Sequence, residues 1–123
     1  MIKNNSVRVD NLVLYNGEIY SINQITKEEF VLIYDFRINK HLLVSWSDIK
    51  GIPVTEEIIR TLGWNNDKEK DVTMPFIIGH GLTDKKFYAV LGEYYILLSF
   101  VHELQNVYYM VDETEIDISK LVK

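Results

Sequence analysis

The 123-residue chain carries 13 basic and 18 acidic side chains for a net charge of −5, the wrong sign for a surface that must neutralise a nucleic-acid backbone. It has no cysteine, which excludes thiolate catalysis, a disulfide framework and cysteine-bound zinc. With 47% apolar and 12% aromatic residues, it has the makeup of a folded domain that buries a core without such staples.

The opening residues 1–6 are polar, and no apolar stretch follows that resembles a signal-peptide core. The longest apolar run, 94–98, is far too short to span a bilayer. The expected localisation is cytoplasmic, with no membrane contact.

Residues 7–25 read as two strands around Asn16-Gly17, a pair that accepts the positive φ angles of a type I′ turn. That loop pairs Leu14 with Ile19, Val13 with Tyr20 and Leu12 with Ser21. One face then carries Leu12, Leu14 and Ile19, the other Val13, Tyr15, Tyr20 and Ile22. Both are apolar, so the hairpin should be covered on two sides. Strands are expected at 30–36 and 41–46, after which 47–53 should leave the sheet through one helical turn and a short extended piece. Four or five short strands in 1–53 predict a small antiparallel SH3-like β-barrel.

A short connecting helix is expected after Thr55, its N-cap, with Glu56 and Glu57 in the first turn. Ile58, Ile59 and Leu62 form its buried stripe and Gly63 follows its end. Trp64 should pack on its last turn. The polar residues 65–71 read as a mobile surface loop between two halves. Seven basic and eight acidic residues precede Gly63, against six and ten from Gly63 onward, so the acidity lies in the second half.

A strand is expected at 73–78, ended by Gly79-His80-Gly81. Strands at 86–91 and 94–98 flank Gly92-Glu93, whose leading glycine suits a type II′ turn. This register sets Val90 beside Tyr95 and Tyr88 beside Leu97 on one face, with Phe87, Ala89, Leu91, Tyr94, Ile96 and Leu98 on the other. Two apolar faces mean that the hairpin is central to the core or that one face is a subunit interface, a homo-oligomer through 87–98. From Val101 the spacing of Val101, Leu104, Val107, Tyr108 and Val111 is that of an amphipathic helix, with Ser99 available as its cap. Residues 112–118 alternate as a last exposed strand or a tail. The expected class is α+β. Residues 1–53 form the barrel, and 54–123 form a helix, an antiparallel sheet and a packed amphipathic helix, compact with the first part.

Candidate chemistry is sparse. His41, His80 and His102 could titrate or ligate near neutral pH, but no second histidine stands at metal-binding spacing on a helix. Glu113, Glu115 and Asp117, with Asp112 beside them, would share a strand face able to hold a hard cation, yet lack the loop of a calcium site. Gly79-His80-Gly81 lacks the Lys and Ser/Thr of a phosphate loop, and no Gly-x-Ser-x-Gly elbow surrounds Ser45 or Ser47. The 15 aromatics interleave with too few cations for single-strand binding, Arg8, Lys27, Arg37 and Lys40 being scattered. His102, Gln105, Asn106 and Tyr109 gather hydrogen-bonding groups on one helix face. That face holds a polar ligand or a partner, or is simply solvated, or fixes the helix onto the neighbouring sheet.

Three segments together carry a resemblance. Val7-Arg8-Val9-Asp10-Asn11-Leu12-Val13 with Asn16-Gly17 is similar to an opening "(L)RIGN-(L/Y)V…NG". Ile52-Pro53-Val54-Thr55-Glu56-Glu57-Ile58-Ile59, ending at Leu62-Gly63-Trp64, is similar to "IPLTEEIL…GF". Val101-His102-Glu103-Leu104-Gln105-Asn106-Val107-Tyr108-Tyr109 is similar to "VHxLQNLYF". In this order they resemble a family of small uncharacterised proteins encoded in prophages and mobile elements of gut-associated Gram-negative bacteria. Where that family continues "ALTGEEL", this chain reads Met110-Val111-Asp112-Glu113-Thr114-Glu115-Ile116, without the glycine. The resemblance implies a genomic setting and no reaction.

The expected function is that of a non-enzymatic protein-interaction module of phage or mobile-element origin. Its binding residues would be His102, Gln105 and Asn106, its partner an unknown protein, and it would need no cofactor or metal. The alternatives are a nucleic-acid-binding small barrel and, third, a small hydrolase or metal-dependent enzyme using His80 or His102 with the carboxylates.

Overall fold

The computed structural model describes residues 7–26, 30–64, 74–81 and 83–122. Two antiparallel sheets and two helices make an α+β fold. The expected mobile loop, 65–71, lies outside the described residues.

The first sheet comprises β1 (Leu12–Tyr15), β2 (Glu18–Ile25), β3 (Phe30–Asp35), β4 (Lys40–Ser45) and β5 (Ile49–Lys50), in the order β4-β3-β2-β1-β5. Asn16 and Gly17 both take left-handed φ, 52° and 78°, as a type I′ turn requires. The three expected cross-strand pairs follow from that loop. One sheet face delivers Val13, Tyr20, Ile22, Val31, Ile33 and Val44 to a core with Val7, Trp46 and Ile49. The opposite face places Leu12 against Ile52 and Val101, with Leu14 and Ile19 packed alongside. Both faces are covered, as the doubly apolar alternation demands. Asp35 is buried at the end of β3, where its carboxylate accepts from the Arg37 backbone N–H and from two guanidinium nitrogens, Nε and Nη2. This pairing holds its pKa below the ordinary carboxylate value.

The sheet is not a closed barrel. β4 and β5 are its two edges, and among the described residues no ladder joins them. Closure fails because β5 is only two residues long and meets β1 only at Leu14↔Lys50 and Tyr15↔Ile49. Residues 47–53 follow the expected helical turn and extended piece, but the extended piece stays in the sheet. Trp46–Asp48 form a 3-10 turn, started by the Ser45 hydroxyl accepting from the Ser47 N–H at 3.3 Å. Buried Trp46 anchors this turn, which returns the chain to β1 before it leaves.

Residues 52–54 then run beside the chain at 99–101, with Val54 N–H donating to Ser99 O at 3.0 Å and Val101 N–H to Ile52 O at 2.8 Å. Helix α1 (Glu56–Leu62) follows. Thr55 Oγ1 accepts from the Ile58 N–H at 3.2 Å, and Gly63 ends the helix at φ 122°. Trp64 is buried and its Nε1 donates to Phe76 O at 2.8 Å.

The second sheet has the order β6-β7-β8, with β6 (Ile77–His80), β7 (Phe87–Leu91) and β8 (Tyr94–Leu98). Gly79 and His80 were expected to end a strand, yet both lie inside β6, paired with Tyr88 and Phe87. The reversal comes later, where Asp84 Oδ1 accepts from the Lys86 N–H at 3.0 Å and Lys85 takes φ 56°. Gly92 has φ 63°, the positive value the leading residue of a type II′ turn needs. Helix α2 (Val101–Asp112) covers one face of this sheet through Leu104 and Val107, in a core shared with Ile59, Leu62, Trp64, Phe76, Ala89 and Leu98.

One expectation at α2 is corrected, and of the two alternatives for the segment after it the strand falls away. Its N-cap is Phe100. Ser99 lies one residue further out, and Glu103 Oε1 accepts from both the Ser99 and Phe100 amides at 2.9 Å. After α2, Glu113 takes φ 63°, and 115–118 form no strand. Instead Ile116 is buried and joins the second core.

Candidate interaction surface

Two surfaces compete as the functional site: the polar face of α2 and the outer face of the second sheet. On α2 the structure brings Gln105 and Asn106 together with the start of β1. Because β5 covers β1 only at Leu14 and Tyr15, backbone groups upstream need another partner. Gln105 supplies it. Its Oε1 accepts from the Leu12 N–H at 2.7 Å and its Nε2 donates to Asp10 O at 3.1 Å. Asn11 Nδ2 donates to Asn106 Oδ1 at 2.9 Å. Arg8 closes the seam. Its two terminal nitrogens reach Glu115 at 2.5 and 3.0 Å, one also donates to Gln105 O, and its Cζ lies over the Tyr109 ring, 4.6 Å from the centroid.

The expected outward binding face is therefore turned inward. Gln105 is 2% exposed and His102 1%. His102 stacks on Phe100 with ring centroids 5.6 Å apart, and its burial lowers the imidazole pKa from the ordinary value, with Glu103 opposing. Gln105 and Asn106 fix the helix onto the sheet, and Tyr109 alone of the set is exposed.

The other titratable groups are dispersed. His41 lies on β4 against Tyr34. His80 stacks flat on Phe87 at 4.5 Å, its Nε2 2.9 Å from Lys85 O. It borders a cavity of about 50 Å³ with Glu56 and Arg60, which pair with each other at 2.6 Å. The late carboxylates share no strand face. Asp112 accepts from the Thr114 hydroxyl, Glu115 binds Arg8, and Asp117 accepts from the Ser119 N–H. Among the described residues, no three His, Asp or Glu side chains converge on a metal position.

The outer face of the second sheet is different. Strand alternation places Ile77 and Gly79 of β6, Tyr88 and Val90 of β7, and Tyr95 and Leu97 of β8 together, in two cross-strand rows, Ile77-Val90-Tyr95 and Gly79-Tyr88-Leu97. None of these side chains belongs to a core cluster. Tyr95 is 70% exposed, Ile77 46% and Leu97 41%. Gly79 leaves a notch in this face, bordered by Tyr88 and Tyr95. The Tyr88 hydroxyl donates to the Asp84 carboxylate, which pushes the phenol pKa up and the carboxyl down. Lys86 and Glu93 stand exposed at opposite ends of the face. The hairpin pattern showed the β7 and β8 residues of this surface. It missed Ile77 and Gly79, because two glycines around His80 looked like a turn.

No helix among the described residues is long and apolar enough to cross a membrane. Comparison with protein-family models, with curated proteins and with solved structures finds no match for this chain.

Proposed function

We propose that this protein is a non-enzymatic protein-interaction module whose working surface is the outer face of the β6-β7-β8 sheet. The observation that carries the proposal is the contiguous apolar row set of Ile77, Val90, Tyr95, Tyr88 and Leu97, which no described residue packs into a core. Exposed apolar faces of this kind mark partner sites when polar residues rim them, as Lys86, Asp84 and Glu93 do here. An accessory role in a prophage or mobile element rests on the three segments read from the sequence, and a cytoplasmic setting on the polar opening of the chain. The first sheet is proposed as an open SH3-like arrangement, supported by five antiparallel strands with a 3-10 turn before the last.

A photo-crosslinking residue placed at Tyr95, compared with one at exposed Leu43 on the first sheet, tests the surface in cells that express the protein. Protein adducts at position 95 and none at 43 are expected. Equal yields at the two positions reject the assignment.

A further inference from the structure

The outer face of the second sheet is complementary to itself. Its two rows differ in relief. The row Ile77-Val90-Tyr95 ends in a projecting isoleucine, and the row Gly79-Tyr88-Leu97 ends in a notch on the same strand. A two-fold axis lying between the rows, in the plane of the face and perpendicular to the strands, lays each row over the other row of a second copy. Ile77 then sits over the notch at Gly79 of the second copy, Tyr95 over its Leu97 and Val90 over its Tyr88. Each contact is made twice, as an isologous interface requires.

Charge selects the same orientation. Lys86 continues the outward side of the β7 alternation beyond the Gly79 row, and Glu93 stands exposed in the turn beyond the Ile77 row. With the strands of the two copies antiparallel, each Lys86 approaches the Glu93 of the other copy, while Asp84, bonded to Tyr88 and the Lys86 N–H at the same end, sets one like charge against that contact. Parallel stacking would set like charge over like charge.

We infer that this face packs against the same face of a second copy of the chain, antiparallel, with Ile77 filling the notch over Gly79 and Lys86 facing Glu93. The inference rests on the proposed working surface and names its occupant. Three strands of about five residues cover roughly 14 Å by 17 Å, far below the roughly 800 Å² per partner of a standard interface. The dimer therefore belongs to the weak, reversible class, with dissociation on the order of 10 μM or weaker.

The test is sedimentation velocity on the full chain from roughly 5 to roughly 500 μM, with three variants. A shift from monomer toward dimer across that range is expected for the parent chain. Gly79→Leu should abolish the shift. A Cβ there makes only an ordinary contact, with Val90 Cγ2 at 3.5 Å, the leucine fills the notch, and an unchanged urea midpoint shows that the variant keeps the fold. Lys86→Glu should weaken association about fivefold, and Lys86→Glu combined with Glu93→Lys should restore it. A parent chain that stays monomeric throughout overturns the inference, as does a Gly79→Leu variant that dimerises like the parent. If the chain is monomeric yet gives position-95 adducts with another protein, the second copy is wrong and the working surface stands. If it is monomeric and gives no such adducts, both fail.

Discussion

Gln105 completes the start of β1 by offering Leu12 and Asp10 a side-chain amide in place of a neighbouring strand. Its oxygen and nitrogen meet the Leu12 N–H and Asp10 carbonyl at 2.7 and 3.1 Å, satisfying one donor and one acceptor that β5 does not reach. Gln105→Leu should therefore leave both backbone groups without a partner in a buried seam. The expected loss is about 2–3 kcal/mol of unfolding free energy, read from the urea midpoint at constant slope. Gln105→Glu should cost at least as much, since a carboxylate cannot donate to Asp10 O.

Gly51 and Phe100 are in a relation that admits no side chain at position 51. A Cβ there would lie 2.6 Å from Phe100 Cδ1. Gly51→Ala is expected to lower stability by about 1–3 kcal/mol through displacement of the ring. In a Phe100→Ala background the same change should cost much less, so a double-mutant cycle should return a clear coupling energy. Additive costs would remove this account.

His102 gives the fold a pH dependence. Burial lowers the imidazole pKa below 6.5 in the folded chain, so the unfolded chain takes up a proton first as pH falls. Stability is thus complete above about pH 6.5 and declines as the pH falls through the lowered folded value. Denaturation midpoints measured between about pH 7.5 and pH 5 should fall in the parent chain and fall less steeply in His102→Leu.

Arg8→Lys should behave as a disruptive substitution. Lysine cannot span both Glu115 oxygens, reach Gln105 O and stack on Tyr109 together, as the guanidinium does. Because Arg8 and Glu115 are about one-third exposed, the expected loss is about 1 kcal/mol or less. High salt should shrink the difference between the two proteins.

Much of this fold was legible from local chemistry. Asn16-Gly17 set the register of the first hairpin and Gly92-Glu93 that of the second, because two-residue turns leave one pairing open. Thr55 and Gly63 bounded α1 for the same local reason. Interactions distant in sequence stayed hidden. Nothing near Ile49 announced its return to β1, since a two-residue strand carries no periodic signal. The α2 polar face was identified residue by residue, but its inward direction depends on the shortness of β5, some 55 residues upstream. His80 misled for a related reason: glycines on both sides of it suggested a turn, while Gly79 and His80 pair with Tyr88 and Phe87 inside β6.

The pairing of 52–54 with 99–101 has one last consequence. This short backbone rung joins the chain just after β5 to the chain just before α2, and the boundary drawn from sequence at residue 53 cuts through its middle. Severing the chain there would strip amides from both fragments at once. Calorimetry on the intact chain should accordingly record one endotherm, with neither half melting ahead of the other.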